Sequence, residues 1–125
     1  MIDLVATLIL EAEEKIDLAK ECLGNKSWAD SIYHSYASFI NGAKALLLQQ
    51  SIQCNTQQGI IRDFDKNFVQ NGQMPGYVSF NELVMQINKN EPSEAFAQSY
   101  LQQAIDFVKQ AEQYREQLVL EAKAV

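Results

Sequence analysis

The chain has 125 residues, 47% of them hydrophobic, which is enough for one domain around one core. Its 10 Lys and Arg stand against 16 Asp and Glu, and the resulting net charge of −6 opposes binding along a nucleic-acid phosphate backbone. No run of about 18 apolar residues is present to span a membrane, and Cys22 and Cys54, with one histidine in the chain, form neither a metal-ligand pattern nor a disulfide scaffold.

The opening MIDLVATLIL is apolar but lacks the basic flank and small-residue cleavage site of a signal peptide. A cytoplasmic protein with free thiols and no cofactor is the expectation. Val5, Ile9, Ala12, Ile16, Ala19 and Leu23 recur at helical spacing and predict a first helix, ended by Gly24-Asn25. Ser27 then opens a second helix, with Asp30 placed to reach back to the cap. This helix has two apolar stripes: Ile32, Tyr36, Phe39, Ala43 and Leu46 on one, and Tyr33, Ala37, Ile40 and Leu47 on the other. A helix apolar on two sides lies between neighbours, so it should be the centre of a bundle.

Asn55, with Gln58, is expected to cap a third helix whose inner face is Ile61, Phe64 and Phe68. Asn71-Gly72 and Met74-Pro75-Gly76 mark a turn and loop, followed by a short extended piece at Gly76–Val78. Ser79 and Glu82 form a capping box for a fourth helix that turns Phe80, Leu83, Val84 and Ile87 inward. Pro92 suits the first turn of a last helix, along which Phe96, Tyr100, Ala104, Phe107, Ala111, Tyr114 and Leu118 share a face. The sum is a single all-α domain, 1–125, an up-and-down bundle of about five helices. Helical pattern runs almost from Met1 nearly to Val125, as in a small whole protein or in a domain excised from a longer chain. Both readings stay open.

Two blocks carry a family resemblance. The second helix closes on Gly42-Ala43-Lys44-Ala45-Leu46-Leu47, preceded by Tyr36. The next block runs from Thr56 to Gly72 with Gly59-Ile60-Ile61, Asp63-Phe64 and Phe68-Val69. Together they resemble the HEPN domain, a helical bundle widespread in prokaryotes, over about Glu14 to Gln113. The chain departs from the family at three places: Ala37 replaces an aromatic, His34 stands where an arginine is frequent, and Asn41 where a histidine is frequent. Many HEPN proteins are dimeric ribonucleases that use an arginine and, after a short gap, a histidine on one helix. Here neither Arg62 nor Arg115 is followed by a histidine. Asn67, which follows Arg62 at a suitable gap, carries an amide that cannot act as a general base. The resemblance therefore implies a catalytically silent member: an accessory or interaction domain, often homodimeric, that partners another protein or is appended to a larger one. Segments like Ile32–Val69 occur on sulfite- or nitrite-reductase-like proteins, although no siroheme or cluster-binding cysteine set is present here.

The alternative is a nucleotide- or small-ligand-binding module using a groove along the second helix, with Tyr33, His34, Asn41 and Lys44 as ligand-binding residues. Against it, His34 can be a half-buried histidine paired with Asp30, and Lys44 can lay its stem on apolar surface with its ammonium in water. Ser31, Ser35, Ser38 and Gly42 step along one helical stripe, which suits close approach of another helix. Asp63 and Asp65, alternating with Phe64 and Phe68, read as the solvated side of the third helix. Trp28 would pin the first corner, or anchor an interface if exposed.

Overall fold

The computed structural model describes residues 3–124; the outermost ends of the expected 1–125 domain lie outside the described residues. The architecture is all-α, with helices α1 (Leu4–Gly24), α2 (Trp28–Gln49), α3 (Gln57–Phe64), α4 (Phe80–Val84) and α5 (Glu94–Ala124). A π-helical turn, Asp65–Val69, continues α3, and a 3₁₀ turn, Met85–Asn88, continues α4.

α1 begins under the Asp3 carboxylate, which accepts from the Ala6 N–H at 3.0 Å. It ends in a paired arrangement: Ser27 N–H donates to Cys22 O at 2.8 Å and Lys26 N–H to Leu23 O at 3.1 Å. This satisfies two terminal carbonyls and needs a left-handed residue, which is Lys26 at φ 62° rather than the glycine two positions earlier. α2 ends the same way, with Ile52 N–H on Leu47 O, Ser51 N–H on Leu48 O, and Ser51 at φ 63°. The tight turn after α1 folds α2 back antiparallel on it.

The small-residue stripe of α2 is buried between its neighbours, with Ser31 against α1 and Gly42 against Phe107 of α5. Ser31, Ser35, Ser38, Gly42 and Ala43 are buried, and Ser31 Oγ donates to Ala19 O of α1 at 2.8 Å. α5 covers the next side of α2 through Tyr100, Ala104, Phe107, Val108 and Ala111. α3 and α4 close the end of the bundle over an aromatic cluster of Phe39, Phe64, Phe68, Phe80, Tyr100 and Phe107, all fully buried. The ring centroids of Phe64 and Phe80 lie 4.5 Å apart, those of Phe64 and Phe68 4.8 Å apart. Rings at such separations add roughly 0.5–1.5 kcal/mol per pair to their burial. Tyr100 keeps its hydroxyl satisfied inside this core by donating to Val84 O at 2.6 Å.

Several local expectations are corrected. Thr56, not Asn55, caps α3, its Oγ1 accepting from Gly59 N–H at 3.0 Å. Ser27 makes no side-chain cap bond. The last helix starts after Pro92, with Ser93 Oγ accepting from Phe96 N–H. Gly76–Val78 is turn and bend rather than strand, and Val78 is fully in solvent. Tyr33 does not join the inner stripe of α2: it is 59% exposed, while Ile40 and Leu47 of that stripe are buried. α3 has only eight residues and covers α2 from Tyr36 onward, which leaves Tyr33 beyond its reach.

Candidate functional site

The solvent side of α2 carries the four residues expected to line a groove. Tyr33 and Asn41 are brought together in a shallow pocket of about 210 Å³, with Lys15 of α1 and Gln57 of α3 at its margins. Tyr36 narrows it by donating its phenolic hydrogen to Gln57 Oε1 at 2.7 Å. Burial raises the Tyr36 hydroxyl above its ordinary pKa, so it stays a neutral donor. Lys44 is exposed one turn beyond Asn41 and is not part of the pocket wall. His34 is half-buried and does not line the pocket. Its ring meets the edge of Tyr33 at 5.7 Å, its Nδ1 is buried without a partner, and no hydrogen bond joins it to Asp30. Two of the four residues therefore share a pocket, and the two basic ones, His34 and Lys44, do not line it.

The charged groups that could do acid–base or phosphate chemistry are dispersed. Arg62 on α3 donates through Nε to Asp63 Oδ1 at 3.2 Å. Arg115 on α5 is paired with Asp3. Cys54 is buried and donates its thiol hydrogen to Asp63 Oδ2 at 3.0 Å. Burial and that carboxylate push the Cys54 thiol up to about 11, so it is not a thiolate nucleophile at neutral pH. The Cys54 and Arg62 hydrogen bonds hold the Asp63 carboxyl below its ordinary range. Among the described residues no group of three His, Cys, Asp or Glu side chains is placed to hold a metal ion.

A larger cleft lies elsewhere, between α3 and α4, at about 500 Å³. Arg62 stands at its wall with Gln58, Gln70 and Asn81 around it, over an apolar floor of Ile61 and Met85. Asp65 bridges the two sides by accepting from Phe80 N–H at 2.6 Å and Asn81 N–H at 2.9 Å. From the sequence alone Asp65, like Asp63, reads as the solvated side of the third helix. The signal that was missed is the approach of residues 80–81 to Asp65, a contact 15 residues long in sequence that no local pattern encodes.

The sequence model of the HEPN domain matches residues 5–95. A protein of Methanocaldococcus jannaschii named "Putative toxin MJ0605" is 34% identical over 68 residues, covering 54% of this chain and 51% of its own length. UPF0332 protein PH1297 of Pyrococcus horikoshii is 40% identical over 60 residues, 48% of this chain and 42% of its own. The matches thus span about half the length of these relatives. The family match covers the α1–α4 part of the bundle, in which residues 42–47 close the central helix and residues 56–72 build the aromatic end. The chain belongs to the HEPN domain family.

Proposed function

We propose that this HEPN domain works without catalysis, as a self-associating accessory or interaction domain in the cytoplasm of a prokaryotic cell, carried by or partnered with a larger, reductase-like protein. The observation that supports this reading is the separation of its imidazole from its guanidiniums. His34 is alone on α2, Arg62 sits on α3 and Arg115 on α5. Activating a ribose hydroxyl and holding a phosphate needs a base and a cation within hydrogen-bond reach of the same substrate. Exposed apolar side chains, Leu4, Leu10 and Leu18 on α1 and Tyr33 on α2, suit contact with a second copy or a partner. Two free thiols suit a reducing compartment, and no helix among the described residues is long and apolar enough to cross a membrane.

The name of the Methanocaldococcus relative says toxin; joined to the ribonuclease activity of many HEPN proteins, this is the rival reading. A second rival, a nucleotide site on α2, finds Tyr33 and Asn41 in one pocket. That pocket, at about 210 Å³, is smaller than the roughly 300–1,000 Å³ usual for small-molecule sites. Incubation of the purified chain with total RNA, beside light scattering of the same sample, tests the proposal. A dimer mass with intact RNA is expected. RNA cleavage that disappears in His34→Ala overturns the non-catalytic reading, because no other imidazole exists in the chain.

A further inference from the structure

We propose that the α3–α4 cleft is a binding site for a carboxylate carried on a compact apolar body. Its volume of about 500 Å³ falls within the usual range for small-ligand sites.

The cleft is built by the π turn. Gln70 N–H donates to Asp65 O at 2.8 Å, five residues back, so one extra residue is wound into the helix. Each extra residue rotates the rest of the helix by about 100°. In an uninterrupted α-helix Val69, two turns on from Arg62, would share its face. Here Val69 is turned into the core at 8% exposure, and Gln70 takes its place on the Arg62 side. π turns weaken the local hydrogen-bond ladder and concentrate where a side chain must be re-aimed for function. The Asp65 carboxylate, clamped by the Phe80 and Asn81 N–H groups, fixes α4 at a set distance across the opening.

The lining suits one kind of ligand. Ile61 and Met85 give an apolar floor. The side-chain amides of Gln58, Gln70 and Asn81 ring it, and none of them hydrogen-bonds to another described residue. The Arg62 side chain is 76% exposed, and only its Nε is taken by Asp63. Its terminal nitrogens make no other hydrogen bond among the described residues; Nη2 lies over Gly59, 3.8 Å from where a Cβ there would stand, so the exposed side chain turns from that position to present its two-pronged donor to a carboxylate in the cleft. Charge then selects among anions. Arg62 and Lys66 are balanced by Asp63 and Asp65 on the same turn and a half of helix. A monoanion adds one uncompensated charge beside those aspartates, and a phosphate dianion adds two. The carboxylate fits whether it belongs to a free small molecule or to the C-terminus of a polypeptide.

The test is an NMR titration of the intact chain, following the side-chain amides of Gln58, Gln70 and Asn81. The probes are N-acetylleucine, its C-terminal amide, a tripeptide ending in leucine with a free carboxylate, and inorganic phosphate. Saturable shifts with N-acetylleucine at millimolar concentration are expected, weakened at least about fivefold by amidation and by Arg62→Gln. Arg62 is exposed, so that variant keeps the fold. A free tripeptide that binds at least about tenfold more tightly assigns the site to a polypeptide C-terminus; equal or weaker binding assigns it to a free carboxylate. No saturable shift up to about 20 mM, equal shifts with the amidated probe, tighter binding of phosphate, or indifference to Arg62→Gln overturns the proposal. RNA integrity and dimer mass report separately on the non-catalytic reading, so either conclusion can fail alone.

Discussion

Gly42 of α2 lies against the ring of Phe107 of α5 so closely that a Cβ at position 42 would stand 3.1 Å from Phe107 Cε2 and 3.6 Å from Cδ2. This contact sets how near the two long helices come. Phe107 cannot move aside, because its ring is itself packed on those of Phe39, Phe64, Tyr77 and Phe80.

Gly42→Ala therefore brings two opposed effects. Helix propensity favours alanine by about 1 kcal/mol, and overpacking a rigid core costs about 1–3 kcal/mol. A net loss of about 1 kcal/mol is expected, lowering Tm by roughly 3–5 °C for a domain of this size. Gly42→Leu is expected to cost several times more. An alanine variant that melts above the parent would mean that the Phe107 ring gives way.

Ser31 and Ser35 are both fully buried on α2, yet only Ser31 has a hydrogen-bond partner. Ser31→Ala breaks the bond to Ala19 O and is expected to cost about 1 kcal/mol. Ser35→Ala removes a hydroxyl that has no partner in the core, and is expected to be neutral or stabilising. Urea unfolding of the two variants should differ in midpoint but not in slope. Equal losses in both would show that Ser35 Oγ is satisfied in solution.

Lys26 and Ser51 hold the left-handed positions that close α1 and α2. That conformation costs a residue with a Cβ about 1–2 kcal/mol and costs glycine almost nothing. Part of the gain is returned as extra freedom of the unfolded chain. Lys26→Gly and Ser51→Gly are each expected to stabilise the fold by about 0.5–1 kcal/mol. The sites flank the opposite ends of α2, so the double variant should show the sum in thermal or urea unfolding. A loss in either single variant would show that the lysine or serine side chain contributes more than its backbone conformation costs.

The long helices were legible in the sequence because burial repeats every three or four residues along Ile9, Ala12, Ile16 and Ala19, and along Tyr100, Ala104, Phe107 and Ala111. The aromatic end was legible in its members, since Phe64, Phe68 and Phe80 were each read as inward. Their mutual stacking was not, because it depends on how the loop after Val69 returns. Tyr33 was misplaced because a stripe pattern says which residues share a face and not how far along that face the covering helix reaches. The candidate site was half legible: Tyr33 and Asn41 are about two helical turns apart and fall on one side of α2, which spacing alone reveals. The α3–α4 cleft rests on a π turn at Asp65–Val69, and no residue type in DKNFV marks one.

Glu13 of α1 and Glu112 of α5 face each other at a groove also lined by Asp17, Lys20 and Lys109. Partial burial raises the Glu13 pKa above its ordinary 4.5, followed by its hydrogen bond to Glu112 and by repulsion from Glu112 and Asp17. A carboxyl whose pKa is raised by folding binds its proton more tightly in the folded state than in the unfolded one. Its contribution is fully present below the ordinary value of 4.5 and is lost as pH rises through the raised value. Above that window two carboxylates confront each other at neutral pH. Glu13→Gln keeps a hydrogen-bond donor toward Glu112 and removes one of the charges. The variant is expected to be more stable than the parent at pH 7, on the order of 0.5 kcal/mol, as for other like-charge neighbours on helices. The gap should close as pH falls toward about 4, where the parent is protonated at this position. Asp3 and Asp63 have lowered pKa values and act in the opposite sense, losing their contribution as pH falls. They are common to both chains, so the difference between variant and parent isolates the Glu13–Glu112 pair. Thermal melts of the two proteins from about pH 4 to 8 measure it, and a gap that widens on acidification would show that the carboxylates do not share a proton.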